Sequence, residues 1–243
     1  MRIPRLYTPQ ALSSNSLIDL DENSSRHLIS VLRMSAGQQV ILFNGQGGEY
    51  SGELSNVRKN AASVSISKFI NSDRESPLKV HLALGVSRGD RMDWIVQKAT
   101  ELGVSSITPL FTERTEVKLN AERLEKKTRH WQQIAISACE QCQRTLIPIV
   151  SPAIPLPQWV AVDNDSLKLV LHHRADKRLS ELSNNNNLVS LLVGPEGGLS
   201  NSEIDLSLNH GFKPLALGPR VLRTETAPLA ALSIVQSLWG DMG

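Results

Sequence analysis

The sequence predicts an α/β fold with a mostly parallel sheet, preceded by a small β-barrel. Three observations carry this. Short strand-like runs punctuated by turn residues occupy positions 1 to about 72. A polar stretch ending in proline, N-S-D-R-E-S-P at 71–77, interrupts the pattern. Beyond it, apolar strand-like runs alternate with segments of helical period, the order that builds a parallel sheet with helical crossovers. The domains are therefore expected at 1–72 and 73–243.

In the first domain, residues 38–43 form an apolar run that stops at Asn44-Gly45, a strong turn signal, and a second run covers 49–54. Ala62, Val64 and Ile66 alternate with serines, as in a half-buried strand. Between these runs, H-L-I-S-V-L-R-M-S-A-G at 27–37 reads as a short helix or turn presenting Arg33. Taken alone, Arg33 is an ordinary solvated charge.

In the second domain, Val80, Leu82, Leu84 and Val86 alternate along a strand. A helix should follow, with Trp94, Ile95, Ala99 and Leu102 on one face and Gly103 as its stop. Residues 107–111 form the next strand. A long helix from Asn120 carries Leu124, Thr128, Trp131, Ala135, Ala138 and Cys142 as one apolar stripe. Residues 146–150 and 167–171 are further strand candidates, and 184–187 is a polar loop.

Two strand–loop–helix units close the chain. The run L-V-S-L-L-V at 188–193 leads into Gly194-Pro195-Glu196-Gly197-Gly198, and Ser200-Asn201-Ser202-Glu203 is a capping box opening a helix that ends near Gly211. The run at 214–217 leads into Gly218-Pro219-Arg220-Val221-Leu222-Arg223-Thr224-Glu225. Thr226 should cap the last helix, with Pro228 in its first turn and apolar residues over 229–239. Both loops then lie on the carboxyl-terminal edge of the sheet, where open α/β sheets bind ligands. The same glycines would also serve as plain helix-entry turns.

Composition excludes more than it selects. No run of about 18 apolar residues is present, and M-R-I-P-R at the start is followed by no signal-peptide core, so a soluble cytoplasmic protein is expected. The only cysteines, Cys139 and Cys142, have C-x-x-C spacing on a helical stripe without a second pair of ligands, which favours packing over metal binding. His172-His173 lacks acidic or cysteine partners at ligand spacing, so no metal is assigned. Dinucleotide-binding and P-loop glycine patterns are absent. Net charge is +2, which permits an anionic partner without requiring one. Arg88, Arg91, Arg114, Lys118, Lys126, Lys127 and Arg129 cluster locally, but acidic residues interleave with those after Phe111, the pattern of a solvated face.

G-P-E-G-G-L-S at 194–200 together with L-G-P-R-V-L-R-T-E-T-A at 217–227 resembles the signature of the RsmE family, the ribosomal RNA uridine-N3 methyltransferases of the SPOUT class. V-L-R-M at 31–34, K-A-T-E-L-G-V at 98–104 and A-C-E-Q-C-Q-R at 138–144 also resemble family motifs, so the likeness spans nearly the whole chain. L-H-H-R at 171–174 departs from it, because the family more usually has proline after the first histidine.

The resemblance implies a PUA-like barrel, a SPOUT domain whose last segment threads a trefoil knot, S-adenosyl-L-methionine as cofactor, and a homodimer acting on 16S ribosomal RNA in the small ribosomal subunit. The expected cofactor residues are Leu171, His172, Gly194, Glu196, Gly198, Leu217, Gly218, Leu222 and Thr224. Uridine N3 is nucleophilic only after losing its imide proton, so the site needs a base and a cation. Arg220 or Arg223 would supply the cation and Glu225 the base, although Glu225 could equally form an ion pair within its own loop. Arg33, with Arg2 and Arg5, is expected to meet RNA. A SPOUT enzyme acting on another RNA or on a ribose hydroxyl, and an inactive ribosome assembly factor, remain alternatives.

Overall fold

A computed structural model describes residues 3–58, 60–117, 120–162, 164–172, 179 and 182–243. The chain forms two compact units. The first comprises Met1–Glu75 with Cys139–Ile147, and the second comprises Ser76–Ala138 with Pro148–Gly243.

The first unit is built on a sheet of β1 (Arg5–Tyr7), β2 (Leu17–Asp19), β3 (Gln39–Phe43), β4 (Glu49–Arg58) and β5 (Ala61–Ile70). They lie in the order β1-β3-β4-β5-β2. The β1–β3 pair is parallel and the others are antiparallel. Alternation places Val40 and Leu42, and then Ala62, Val64 and Ile66, in one apolar core with Leu28. The turn expected at Asn44-Gly45 forms, with Gly45 at φ +79. Between β2 and β3 come α1 (Glu22–Arg26), capped by the Asp21 carboxylate on the Asn23 and Ser24 N–H groups, and a single π turn (His27–Val31).

The segment at 71–77 is less solvated than its composition suggests. Glu75 forms an ion pair with Arg144 at 2.6 Å, both side chains 7% exposed, and its second oxygen accepts from the N–H groups of Thr145 and Leu146. Glu75 thus answers the buried charge of Arg144.

The second unit is an α/β sheet in the order β12-β10-β11-β6-β7-β8. Its strands are β6 (Lys79–Gly85), β7 (Ser106–Phe111), β8 (Ile149–Val150), β9 (Ile154–Pro155), β10 (Leu167–Leu171), β11 (Leu188–Val193) and β12 (Lys213–Leu215). Every pairing among them is parallel, with β9 beside β7. The helices are α2 (Arg91–Glu101), α3 (Ala121–Cys142), α4 (Leu156–Val160), α5 (Asn201–Asn209) and α6 (Thr226–Trp239).

Side-chain alternation explains why the strands read as unbroken apolar runs. Leu82, Leu84, Leu169, Leu191 and Val193 pack in one core with Ile95, Trp131 and Leu232 from α2, α3 and α6. Ala83, Val170 and Leu192 pack in another with Trp159 and Ile204 from α4 and α5. Both faces are covered, so both faces are apolar.

Some details depart from expectation. Trp94 is 44% exposed, and Met92, Ile95, Val96 and Ala99 form the buried face of α2 instead. On α3 the last turn buries Cys139 rather than Cys142. Thr226 does not cap α6: Glu225 at φ −76 and ψ −26 is already helical, and the Arg223 carbonyl takes the N–H groups of Thr226 and Ala227 at 2.9 Å. The capping box of α5 forms as read, Ser200 and Glu203 bonding reciprocally. No helix among the described residues is long and apolar enough to cross a membrane.

Candidate active site

The end of β10 and the loops that follow β11 and β12 lie at the same edge of the second unit's sheet and line a cavity of about 540 Å³. Leu171 and His172 line it from the end of β10. Gly194, Glu196 and Gly198 line it from the loop after β11, and Leu217, Gly218, Leu222 and Thr224 from the loop after β12. Arg220 belongs to the same wall, whereas Arg223 and Glu225 are not among the lining residues. The His172 N–H donates to the Leu215 carbonyl at 2.9 Å, which fixes this end of β10 to β12. His173 and Arg174 lie outside the described residues.

The glycines have different reasons to be glycine. A Cβ on Gly194 would stand 2.8 Å from the Leu199 nitrogen and 2.9 Å from the Gly198 carbonyl carbon, so the loop closes on itself only without one. Gly198 and Gly218 have φ of +67 and +90, the left-handed region, and no atom lies within 4 Å of where their Cβ would be. At these two places the wall is bare backbone.

Two arginines hold the loop after β11. Arg114 Nη1 donates to the Gly197 carbonyl at 2.8 Å and the Leu199 carbonyl at 3.3 Å. Arg91 Nη1 donates to Glu196 Oε1 at 2.8 Å, and the Arg88 N–H donates to the same oxygen at 3.0 Å. Burial works against the charged form of Glu196, but these bonds, with one from its own N–H, outweigh it and hold the carboxyl below its usual range. Arg91 also places Nε 3.8 Å from Glu225 Oε2. Glu225 is thus paired with an arginine of α2 rather than with one of its own loop. Arg220 and Arg223 are both exposed and form no ion pair among the described residues.

The arrangement suits a ligand with a flat apolar part and polar edges: leucine side chains, bare backbone and the cationic side chains of Arg114 and Arg220 surround a single space. The description "RNA methyltransferase domain" matches residues 74–236, and "RNA methyltransferase PUA domain" matches 20–67. Ribosomal RNA small subunit methyltransferase E of Buchnera aphidicola (Schizaphis graminum) is 37% identical over 242 residues, covering 99% of this chain and 98% of that one. Its Bacillus subtilis counterpart is 34% identical over 237 residues, covering 94% and 93%. The chain belongs to the ribosomal RNA small subunit methyltransferase E family.

Among solved structures, methyltransferase E of Neisseria gonorrhoeae bound to S-adenosyl methionine superposes with a TM-score of 0.96, at 38% identity and complete coverage of both chains. A Legionella pneumophila chain solved with the cofactor SAM also gives 0.96, at 44% identity, covering 99% of this chain and 100% of that one. The PUA-like first unit and the mostly parallel second unit are therefore the architecture of methyltransferase E.

The residues expected to meet RNA fare differently. Arg2 lies outside the described residues. Arg5 is not available to a phosphate: its side chain is 6% exposed, pairs with Glu49 at 2.9 Å, donates to the carbonyls of Cys139 and Arg144, and lies 4.4 Å over the Phe43 ring. It holds the returning segment Cys139–Ile147 to β1. Arg33 is exposed, just beyond the π turn, at φ +54. A left-handed conformation at a non-glycine residue stores strain of about 1–3 kcal/mol. Its neighbours Val31 and Leu32 are also exposed.

Sequence reasoning missed Arg91 and Arg114, whose roles depend on loops distant in the chain. Interleaved charge suggested a solvated face, and that holds on α3, where Lys126 pairs with Glu122 and Arg129 with Glu125 one turn apart. Lys118 lies outside the described residues. No cluster of His, Cys, Asp or Glu suited to a metal occurs among the described residues.

Proposed function

We propose that this protein transfers a methyl group from S-adenosyl-L-methionine to N3 of a specific uridine in 16S ribosomal RNA, with the assembled small ribosomal subunit as substrate. The observation that carries the reading is the convergence of every expected cofactor residue, with Arg220, on one cavity. The residues fit that cofactor. The backbone at Gly198 and Gly218 leaves space that any side chain would fill, and Leu171, Leu217 and Leu222 offer apolar surface for an adenine ring.

When bound, the cofactor supplies an activated methyl group on a sulfonium, and the protein's task is alignment and proton removal. The loop glycines present backbone donors and acceptors to it. Arg220 supplies the positive field for the uridine anion, and a Glu225 carboxylate oxygen takes the N3 proton directly or through a water molecule. Arg223 lies one turn before α6 and is the weaker candidate for the cation, since it does not line the cavity. Arg33 of the PUA-like unit binds the RNA backbone. Threading of the last segment as a trefoil knot belongs to this reading, as does a homodimer. The dimer is supported by exposed apolar Trp94 on α2 and Ile234 and Leu238 on α6.

The test is methyl transfer from labelled S-adenosyl-L-methionine to small subunits lacking the modification, beside naked RNA, with the product located by nuclease digestion and mass spectrometry. Label on N3 of one uridine in the subunit is expected. Label on a ribose hydroxyl, or none despite cofactor binding, overturns the assignment.

A further inference from the structure

The geometry points to Arg91 as a positioning residue that fastens the Gly194-containing loop and the Glu225 carboxylate with one guanidinium. The inference rests on the function proposed above and adds a residue that neither the motif loops nor the cavity wall contains. Arg91 is the first residue of α2, a helix whose Met92, Ile95, Val96 and Ala99 are locked into the core, so its backbone is a fixed point. From there the side chain reaches the loop after β11 through Glu196 at 2.8 Å and the entry of α6 through Glu225 at 3.8 Å.

The charge balance makes the arrangement consequential. Two carboxylates face one guanidinium; of the other cations near them, Arg88 pairs by its side chain with Glu116 at 2.7 Å and Arg114 donates to the Gly197 and Leu199 carbonyls. Arg88 contributes only its backbone N–H to Glu196. Removing the Arg91 guanidinium therefore leaves Glu196 and Glu225 without a shared cation, and like charges near one another separate. Because Glu196 belongs to a loop lining the cofactor cavity and Glu225 to the start of α6, separation disturbs both at once. Arg91 is not itself among the residues that line the cavity. Its effect has to pass through the two glutamates.

The short contact and the long one imply different losses. Arg91 and Glu196 are 49% and 33% exposed in their side chains, so solvent screens their bond, and cofactor affinity should fall only about 2–5-fold in Arg91→Ala. Turnover should fall further, about 10–100-fold at saturating cofactor, because small misplacement of a reacting group is costly. The KM for the small subunit should stay within about twofold.

The experiment has two arms. Calorimetric titration with S-adenosyl-L-methionine compares wild type, Arg91→Ala, Glu196→Gln and the double variant, with thermal melting to confirm folding. It needs no RNA, so it decides the loop attachment even if the proposed reaction is wrong. Expected is a double variant no weaker than the poorer single one; additive losses, or unchanged affinity in Arg91→Ala, overturn the attachment. The second arm measures kcat on small subunits for Arg91→Ala alone and in a Glu225→Gln background. Expected is a large loss in the wild-type background, at most about twofold in the Glu225→Gln background, and partial rescue by Arg91→Lys, which keeps the charge. An equal loss in both backgrounds removes Glu225 from the role of Arg91. Absence of methyl transfer by the wild-type enzyme refutes the functional reading and, with it, the Glu225 half of the inference.

Discussion

Adding one methyl group at Gly194 should damage cofactor binding more than it damages the fold. In Gly194→Ala the new Cβ would stand 2.8 Å from the Leu199 nitrogen, 2.9 Å from the Gly198 carbonyl carbon and 3.1 Å from the Gly198 Cα. All three are backbone atoms, so no side-chain rotation relieves the overlap. The loop must open, and overpacking of this size costs about 1–3 kcal/mol. If the loop stayed closed, the whole cost would appear as lost stability. It has an easier course, since its far side is the cavity rather than packed protein. The strain then relaxes by widening the turn that the Gly198 N–H makes to the Pro195 carbonyl at 2.8 Å, and the cost reappears when a ligand requires the closed loop. Converted to affinity, 1–3 kcal/mol is a loss of about 5–150-fold. Calorimetric titration with S-adenosyl-L-methionine and thermal melting of the same sample would divide the cost between the two states. A variant that binds within twofold of wild type while melting several degrees lower would show that the loop stays closed, and would refute the reasoning.

Other substitutions separate structural from functional arginines. Arg5→Ala strands the Glu49 carboxylate, only 11% exposed, and should cost about 3–5 kcal/mol, a fall in Tm of roughly 10 °C; an unchanged Tm returns Arg5 to the list of RNA contacts. Arg33→Ala should weaken RNA binding, lower the salt dependence of that binding by about one unit of slope and leave cofactor affinity intact, which filter binding across a salt series would check. His81 is pushed below its usual 6.5 by burial, bonds Thr108 at 2.8 Å and stands edge-on to Trp159. As pH falls through 6.5 the unfolded chain takes up the proton first, so stability should decline below about pH 6.5 and level off beneath the folded-state value. Urea unfolding at several pH values should show this slope in wild type and not in His81→Asn.

What was legible in the chain was local. The Ser200 capping box, the alternation in β5 and the apolar run of β11 are determined by neighbours within a few residues, and they formed where the periods put them, whereas β6, read as alternating, is buried on both faces. The loops could be placed on one edge because parallel strands joined by helices all point the same way. What escaped was long-range pairing of charge. Arg5 reads as an exposed terminal cation, yet its partners lie at Glu49, Cys139 and Arg144. Glu75 reads as part of a linker, yet its partner is Arg144. Nothing periodic announces such a bond, because it depends on a chain return that only the folded unit creates. Trp94 failed for another reason: α2 turns its buried face by one residue, onto Met92 and Val96, and a short helix with apolar residues on several sides does not show which of them faces inward.

The two glutamates beside Arg91 illustrate how a site gives like residues unlike work. Glu196 receives two short bonds on one oxygen, from Arg91 and from the Arg88 N–H, and its carboxyl is held below the usual range. A group so satisfied is a poor proton acceptor, since every bond it receives favours the charge it already carries. Glu225 receives no hydrogen bond among the described residues, and its ion pair with Arg91 is 3.8 Å long, beyond hydrogen-bond range. It sits at the cap position of α6, oriented by charge but with its lone pairs uncommitted. An imide is a far weaker acid than a carboxylic acid, so no carboxylate removes the N3 proton by affinity alone. In the proposed reaction the proton leaves as a cation stabilises the uridine anion, the part given there to Arg220 on the cavity wall. Of the two carboxylates, Glu225 is the one that accepts no hydrogen bond among the described residues, which is why the proposed reaction assigns the proton to it and not to Glu196.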